Sequence, residues 1–313
     1  LSGDRVFLTG ATGFVGSHVL RELIAAGFTV RALVRASSHL LRMGTDDNVE
    51  SVVGDMRRVG DFARTLRGCS HLIHCAALYS FAPRDRPYMH AVNVEGTASL
   101  MLAAHLAGVE RVVLTSSSAT LGHAHSGYHR SKLEQERAAF ASRAPVIALS
   151  PTAPVGPGDS KPTPTGKLVL DFMRGKILAK APGMGGMNLV AVEDVARAHV
   201  AALTRGRAGD RYIIGGENLS MDAIWQMLAE ITGKPMPGWR APYALTLAAA
   251  YADELRSRVT GAAPNVPLEG VVMSRERMYA DSSKAARDLG YSPTSVRAAL
   301  ERAVAWYRAL RNF

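Results

Sequence analysis

The strongest constraint on this chain is a turn with a glycine at every third position, Gly10-Ala-Thr-Gly13-Phe-Val-Gly16. An apolar strand pattern, Arg5–Thr9, leads into it, and Val19, Leu20, Leu23 and Ile24 follow at helical spacing until Gly27 closes the helix. Strand, glycine turn and helix in that order bring backbone N–H groups and the positive end of a helix dipole to one point. The glycines let a pyrophosphate approach the main chain there. Their spacing differs from the G-x-G-x-x-G form, so the strand–helix context carries the reading as much as the glycines do.

Further strand patterns run over 28–34, 49–53, 71–75, 111–115 and 146–149, with helical patterns between them. Such alternation predicts a parallel sheet covered on both faces. From Pro151 to Pro164 the composition turns to Pro, Gly and Thr, which argues against a helix or inner strand and predicts a crossing loop. A domain boundary is placed here, with 1–150 as the nucleotide-binding domain and 151–313 as mainly a substrate lobe; strands near 189–215 are expected to rejoin the first domain. Residues 192–203 read as a helix, 212–214 as a strand returning to the sheet, Ser220 as the cap of a helix ending near Gly233, and 293–310 as a terminal helix. The expected fold class is α/β, a Rossmann doubly wound parallel sheet with a smaller, mainly helical C-terminal lobe.

Hydrophobic residues make up 47% of the chain, ample for a core without covalent staples. Cys69 and Cys75 would stand about 20 Å apart in an extended segment, beyond disulfide reach, and read as thiols of a cytoplasmic protein. No apolar run approaches the roughly 20 residues of a membrane span. Lys+Arg 37 against Asp+Glu 27 gives +10, a balance that suits nucleic acid or an anionic metabolite equally well. The basic residues are scattered, without a run of five and without a nucleic-acid motif, so a small-molecule substrate is expected and nucleic acid is not.

A dinucleotide site that takes NAD usually carries an acidic residue about 20 positions past the glycine turn, on the adenosine ribose. Here the second strand ends at Arg35, and no Asp or Glu occurs between Arg31 and Thr45. Nothing in that stretch repels a 2′-phosphate, and Arg31 or Arg35 can pair with one, which favours NADP over NAD.

Tyr128 and Lys132 open a helical pattern that continues through Leu133, Glu136 and Phe140, so both lie on one helix face. An ordinary phenol titrates near pH 10 and is a poor base at neutral pH, but a nearby cation stabilises phenolate. The fifth strand runs into Thr115-Ser-Ser-Ser-Ala-Thr120, whose hydroxyls stand at the carboxyl edge where open parallel sheets bind ligands. The same edge holds the glycine turn.

These residues together resemble the extended short-chain dehydrogenase/reductases of the NAD-dependent epimerase/dehydratase family. The resemblance runs through Thr9–Gly16, Asp55, His74-Cys-Ala-Ala77, Asn93-Val-Glu-Gly-Thr97, Ser116–Thr120 and Tyr128-x-x-x-Lys132. The segments Ser150–Asp159, Lys161–Gly166 and Tyr212–Leu219 look like the hopanoid-associated sugar epimerase branch, close to dihydroflavonol 4-reductases. The resemblance implies that Gly10, Gly13 and Gly16 cradle the pyrophosphate, with Thr12, Phe14 and Val15 of the same turn beside it. It implies that Asp55 holds adenine, with Met56 next to it, that Ala76 and Ala77 line the cofactor, and that Pro151 borders the nicotinamide. By the same resemblance Tyr128 is the acid/base, Lys132 bonds the nicotinamide ribose and assists it, Ser118 orients the reacting oxygen, and Asn93 supports the site. Family members commonly dimerise through the helices holding Tyr88–Ala107 and Tyr128, so a homodimer is expected.

Two departures stand out. Only ten positions separate Ser118 from Tyr128, where the family usually has a longer loop, and Ala191 stands where related sequences often have His. His123, His125 and His129 cluster locally, but no carboxylate or cysteine completes a zinc spacing, so no metal is expected. Three functions remain. The resemblance favours a nucleotide-sugar epimerase or dehydratase, an isomerase or lyase that works by oxidoreduction; Arg35 and the likeness to dihydroflavonol reductases favour an NADPH-dependent ketone reductase. The third, a non-catalytic NADP(H)-sensing binding protein, has no need of the Tyr/Lys pair.

Overall fold

The computed structural model describes residues 4–37, 46–80, 82–121, 127–177, 185–260, 264, 266, 268, 271 and 277–310. His123 and His125 lie outside the described residues. Seven strands form the main sheet: β1 (Arg5–Thr9), β2 (Thr29–Val34), β3 (Val49–Val53), β4 (His71–His74), β5 (Arg111–Thr115), β6 (Val146–Pro151) and the later Arg211–Ile214. All neighbours are parallel, in the order 3-2-1-4-5-6 with Arg211–Ile214 last. The chain therefore winds outward from β1 to β3, returns to the middle, and winds the other way from β4. That reversal falls at the carboxyl ends of β1 and β4, the place where open α/β sheets bind ligands.

Side-chain alternation explains the layering. Val6 and Leu8 of β1 enter one core with Val19, Leu20 and Leu23 of α1 (Phe14–Ala25), while Phe7 enters the other with Phe62, Leu72, Leu100 and Met101. The second face is covered by a long helical stretch: α2 (Arg86–His90), a single π-type turn (Ala91–Glu95) and α3 (Gly96–Leu106). Gly96 starts α3 hard against the Met56 backbone, where a Cβ would lie 2.5 Å from the Met56 carbonyl oxygen. The helix α4 (Gly127–Phe140) lies beside α3 and carries Tyr128 and Lys132.

The region 151–164 departs from a plain loop. Within it, β7 (Ala153–Val155) pairs with β8 (Gly186–Ala191). A proline there is tolerated because β7 is an edge strand of this sheet, where the missing N–H leaves no ladder bond unmade. Next, Thr163 caps α5 (Pro164–Met173) with Pro164 at the first helical position. Gly186–Ala191 does not enter the main sheet; it centres a second sheet with β7, Glu217–Ser220 and Arg277–Met278.

In chain order the remaining elements are α6 (Val192–Arg205), β9 (Arg211–Ile214), β10 (Glu217–Ser220), α7 (Met221–Thr232), α8 (Tyr243–Thr260), β11 (Arg277–Met278), α9 (Ser283–Leu289) and α10 (Val296–Ala309). Ser220 accepts from the Ala223 N–H to start α7, and Gly233 at φ 73° ends it, as their residue types predict. The C-terminal part is helical around its own core of Phe172, Trp225, Leu228, Leu300 and Val304, with the small sheet added. Among the described residues no helix is long and apolar enough to cross a membrane.

Two glycines at positive φ separate conformational strain from collision. Gly27 (φ 84°) faces open space, whereas a Cβ on Gly10 (φ 76°) would lie 2.7 Å from the Ala76 amide nitrogen. Gly27→Ala should cost about 1–2 kcal/mol for left-handed backbone alone, and Gly10→Ala about 1–3 kcal/mol more for the clash. Urea unfolding of both variants checks this; equal losses would contradict the close approach.

Candidate active site

The glycine turn sits at the end of β1. The Gly13 N–H donates to the Gly10 carbonyl at 2.9 Å, and Gly13 occupies the N-cap of α1 with no side-chain cap and no acidic residue in the first turn. A Cβ on Gly16 would fall 2.0 Å from the Gly10 oxygen, so the turn closes only on glycine. Thr12 is half-buried in the turn, Phe14 meets the His18 ring edge-on at 6.0 Å, and Val15 packs against the core under α1. A helix start free of carboxylates, with its backbone exposed at Gly13, suits a pyrophosphate. The fit is chemical as well as geometric.

Along β2 and just past its end, the two arginines part company. Arg31 is committed to Glu50 at 2.8 Å and donates to the carbonyls of Thr65 and Arg67 at 2.5 and 3.2 Å. Arg35, one residue past the strand, is exposed. Beyond β3, Asp55 caps the short turn Met56–Asp61 by accepting from the Arg57 N–H, and the Arg57 guanidinium beside it holds its carboxyl down at about 2. Arg57 in turn lies over the Tyr88 ring, 4.7 Å from its centre. Met56 is buried.

The chain after β4 passes the glycine turn. Ala76 is half-buried, with its N–H on Thr9 Oγ1 at 3.2 Å, and Ala77 is exposed. Asn93, buried in the π-type turn, accepts from the Leu78 N–H at 2.7 Å and donates to the Leu78 carbonyl at 2.9 Å and to Ser131 Oγ at 3.1 Å. It thereby ties this segment to α4. A π-type turn shifts a side chain's direction relative to a regular helix and is common at functional sites.

On α4, Tyr128 meets the Tyr79 ring edge-on, 4.5 Å between centres. Lys132 is buried one turn later and donates from Nζ to the Thr115 carbonyl at 2.7 Å and to Gln135 Oε1. Burial pushes the Tyr128 phenol up to about 12 and the Lys132 ammonium down to about 8. In the unliganded protein burial outweighs the lowering that a nearby cation alone would give the phenol.

Ser118 begins a short turn (Ser118–Leu121) after β5 and is half-buried. The turn is held by a residue the sequence reading passed over as part of a helical pattern. Glu136 is 1% exposed, and its carboxylate accepts from Ser116 Oγ, Thr120 Oγ1 and the Arg211 guanidinium. A carboxylate one turn past Lys132, facing inward, was the available signal. Pro151, at the end of β6, is buried beside Ile214. The glycine turn, Ala76, the Ser118 turn and Lys132 all stand at the carboxyl ends of β1, β4 and β5; Arg35 stands at the end of β2. Among the described residues no group of three potential metal ligands occurs.

The family profile described as NAD dependent epimerase/dehydratase matches residues 6–215. A Synechocystis sp. protein provisionally named dihydroflavonol 4-reductase is 39% identical over 334 residues, spanning 97% of this chain and 95% of that protein. The crystal structure of gox2253 superposes with a TM-score of 0.86 at 36% identity, covering 99% of each chain. The structure of MoeE5 in complex with UDP-glucuronic acid and NAD gives a TM-score of 0.76 at 28% identity, covering 98% of this chain and 99% of that one.

Lys132 makes stability pH-dependent in a defined direction. Between about 8 and its ordinary 10.5 the unfolded chain holds the proton that the folded chain has lost, so the unfolded state binds more protons and stability rises with pH through that window. Wild-type stability relative to Lys132→Met should therefore increase between those values in paired urea titrations. Parallel curves would place the folded ammonium at its ordinary value.

Proposed function

Because this chain belongs to the NAD-dependent epimerase/dehydratase family and is an NAD(P)-dependent enzyme of the extended short-chain dehydrogenase/reductase type, we propose that it works as a ketone reductase in which Tyr128 protonates the carbonyl oxygen. The observation that carries this reading is the half-buried Tyr128 on the same helix as the buried Lys132, at the sheet edge that also holds the glycine turn. When bound, the nicotinamide nucleotide supplies the hydride. Tyr128 delivers the proton to the developing alkoxide, Lys132 steadies the resulting phenolate by its charge, and Ser118 orients the oxygen. The 39% identity to a protein named as a dihydroflavonol reductase supports the reductive direction.

Gly10, Gly13 and Gly16, with Thr12, Phe14 and Val15, would hold the pyrophosphate at the α1 N-terminus. Ala76, Ala77 and Pro151 would border the nucleotide, Asp55 and Met56 would adjoin the adenine, and Asn93 would fix the Leu78 segment between them. Arg35, exposed one residue past β2, would take a 2′-phosphate, which favours NADP. The assignment of 1–150 to the nucleotide and 151–313 mainly to substrate stands as part of the same proposal, with Arg211–Ile214 completing the first sheet. Exposed Leu102 and Leu106 on α3, beside α4, support a homodimer through these helices, and two free cysteines support a cytoplasmic setting. A second reading, an epimerase or dehydratase acting on a nucleotide sugar, is favoured by the likeness to MoeE5 with its UDP-glucuronic acid and NAD.

Mass spectrometry of nucleotide released on denaturation separates the two. An empty protein that binds NADPH reversibly supports the reductase; stoichiometric, tightly held NAD(P)+ supports the epimerase. Arg35→Ala should weaken NADPH far more than NADH, and equal losses would remove the 2′-phosphate role. With ketones that consume NADPH, Tyr128→Phe should lower kcat by about 10²–10⁴-fold while NADPH still binds; near-normal turnover would overturn the acid role.

A further inference from the structure

Behind Lys132 runs a buried series of polar side chains that the proton transfer itself does not use. Gln135, 1% exposed, receives the Lys132 ammonium at Oε1, and its Nε2 lies 3.0 Å from Thr97 Oγ1 and 3.4 Å from His74 Nε2. Thr97 Oγ1 is 2.9 Å from His74 Nε2, and His74 Nδ1 is 2.6 Å from Thr9 Oγ1, which also receives the Ala76 N–H. Thr97, His74 and Thr9 are fully buried. The series crosses α4, α3, β4 and β1 and ends beside the glycine turn.

The donor inventory fixes the direction of each bond. An ammonium has no lone pair, so the Gln135 atom beside Lys132 is the carbonyl oxygen and the amide NH₂ faces Thr97 and His74. A proton on His74 Nε2 would set two donors against each other at 3.4 Å. A bare Nε2 accepts from the Thr97 hydroxyl and the Gln135 amide together, which leaves the ring proton on Nδ1, donating to Thr9. Burial and the nearby Lys132 charge keep this ring neutral, with its titration lowered to about 3.

We propose that Gln135 is a positioning residue of the site: clamped by Thr97 and by the Nδ1–H tautomer of His74, its carboxamide holds the Lys132 ammonium at the end of β5 and couples it to the strand leading into the glycine turn. The proposal rests on Lys132 belonging to the site. Besides His74, the titratable groups around Lys132 are Cys75 at the end of β4, and Glu136 and Tyr128 on its own helix. Cys75 is a neutral thiol, raised to about 12 by burial, and Glu136 is occupied by Arg211, Ser116 and Thr120. Gln135 is therefore the neutral dipole whose replacement alters the field at Nζ most simply.

Nitrogen NMR of unliganded, histidine-labelled wild-type protein, with His74 assigned by substitution, reads the tautomer; the Lys132 amine is titrated by NMR in wild type, Gln135→Glu and Gln135→Leu. His74 should be neutral with its proton on Nδ1, and Gln135→Glu should raise the Lys132 titration by about one to three pH units while Gln135→Leu lowers it. A proton on His74 Nε2, or a Lys132 titration unmoved by Gln135→Glu, would overturn the proposal. The tautomer measurement needs no variant to fold. Neither readout needs a substrate, so both stand apart from Tyr128→Phe turnover, whose failure would sink the reductase reading alone.

Discussion

The contact between Gly10 and the backbone of Cys75 and Ala76 sets the geometry on which the rest of the site depends. The end of β1 approaches the segment after β4 so closely that a single Cβ would collide, and the turn between Gly10 and Gly16 closes with equal economy. Because β1 and β4 are neighbours although distant in sequence, this contact lies at the reversal of strand order. The start of α1, the Ala76 segment and the ends of β4 and β5 then share one edge of the sheet. Tertiary packing brings these segments together; the glycines make the close approach possible.

Burial governs the chemistry of the Tyr128 helix. It pushes the phenol's titration up and the ammonium's down, while the Thr115 carbonyl and the Gln135 carboxamide accept from the ammonium. Glu136, the nearest carboxylate on that helix, is drawn away by Arg211 and the serine turn. The same helix thus carries the Tyr128 phenol, the Lys132 cation and the Glu136 anchor of the Ser118 turn.

Much of this was legible in the sequence because it is local. The glycine turn, the Tyr128/Lys132 spacing, Ser220 as a cap and Gly233 as a stop all follow from residues a turn or two apart. The roles of Gln135, Thr97 and His74 were not legible, since each depends on a partner from another element. Arg31 and Arg35 look alike in sequence, and only the ladder placing Arg31 opposite Glu50 separates them. The second sheet escaped notice because its strands are short, one contains Pro154, and their pairing spans from Ala153 to Met278. The phenol's raised titration depends on desolvation, which spacing does not report.

A crystal structure of the protein with bound NADP+ tests the central claim most directly. The pyrophosphate should rest on the Gly10–Gly16 turn, with the nicotinamide beside Tyr128, Lys132 Nζ within hydrogen-bond distance of the nicotinamide ribose, and the 2′-phosphate at Arg35. A nucleotide bound away from the glycine turn, or a nicotinamide that leaves Tyr128 out of reach of its reactive carbon's substrate face, would contradict it.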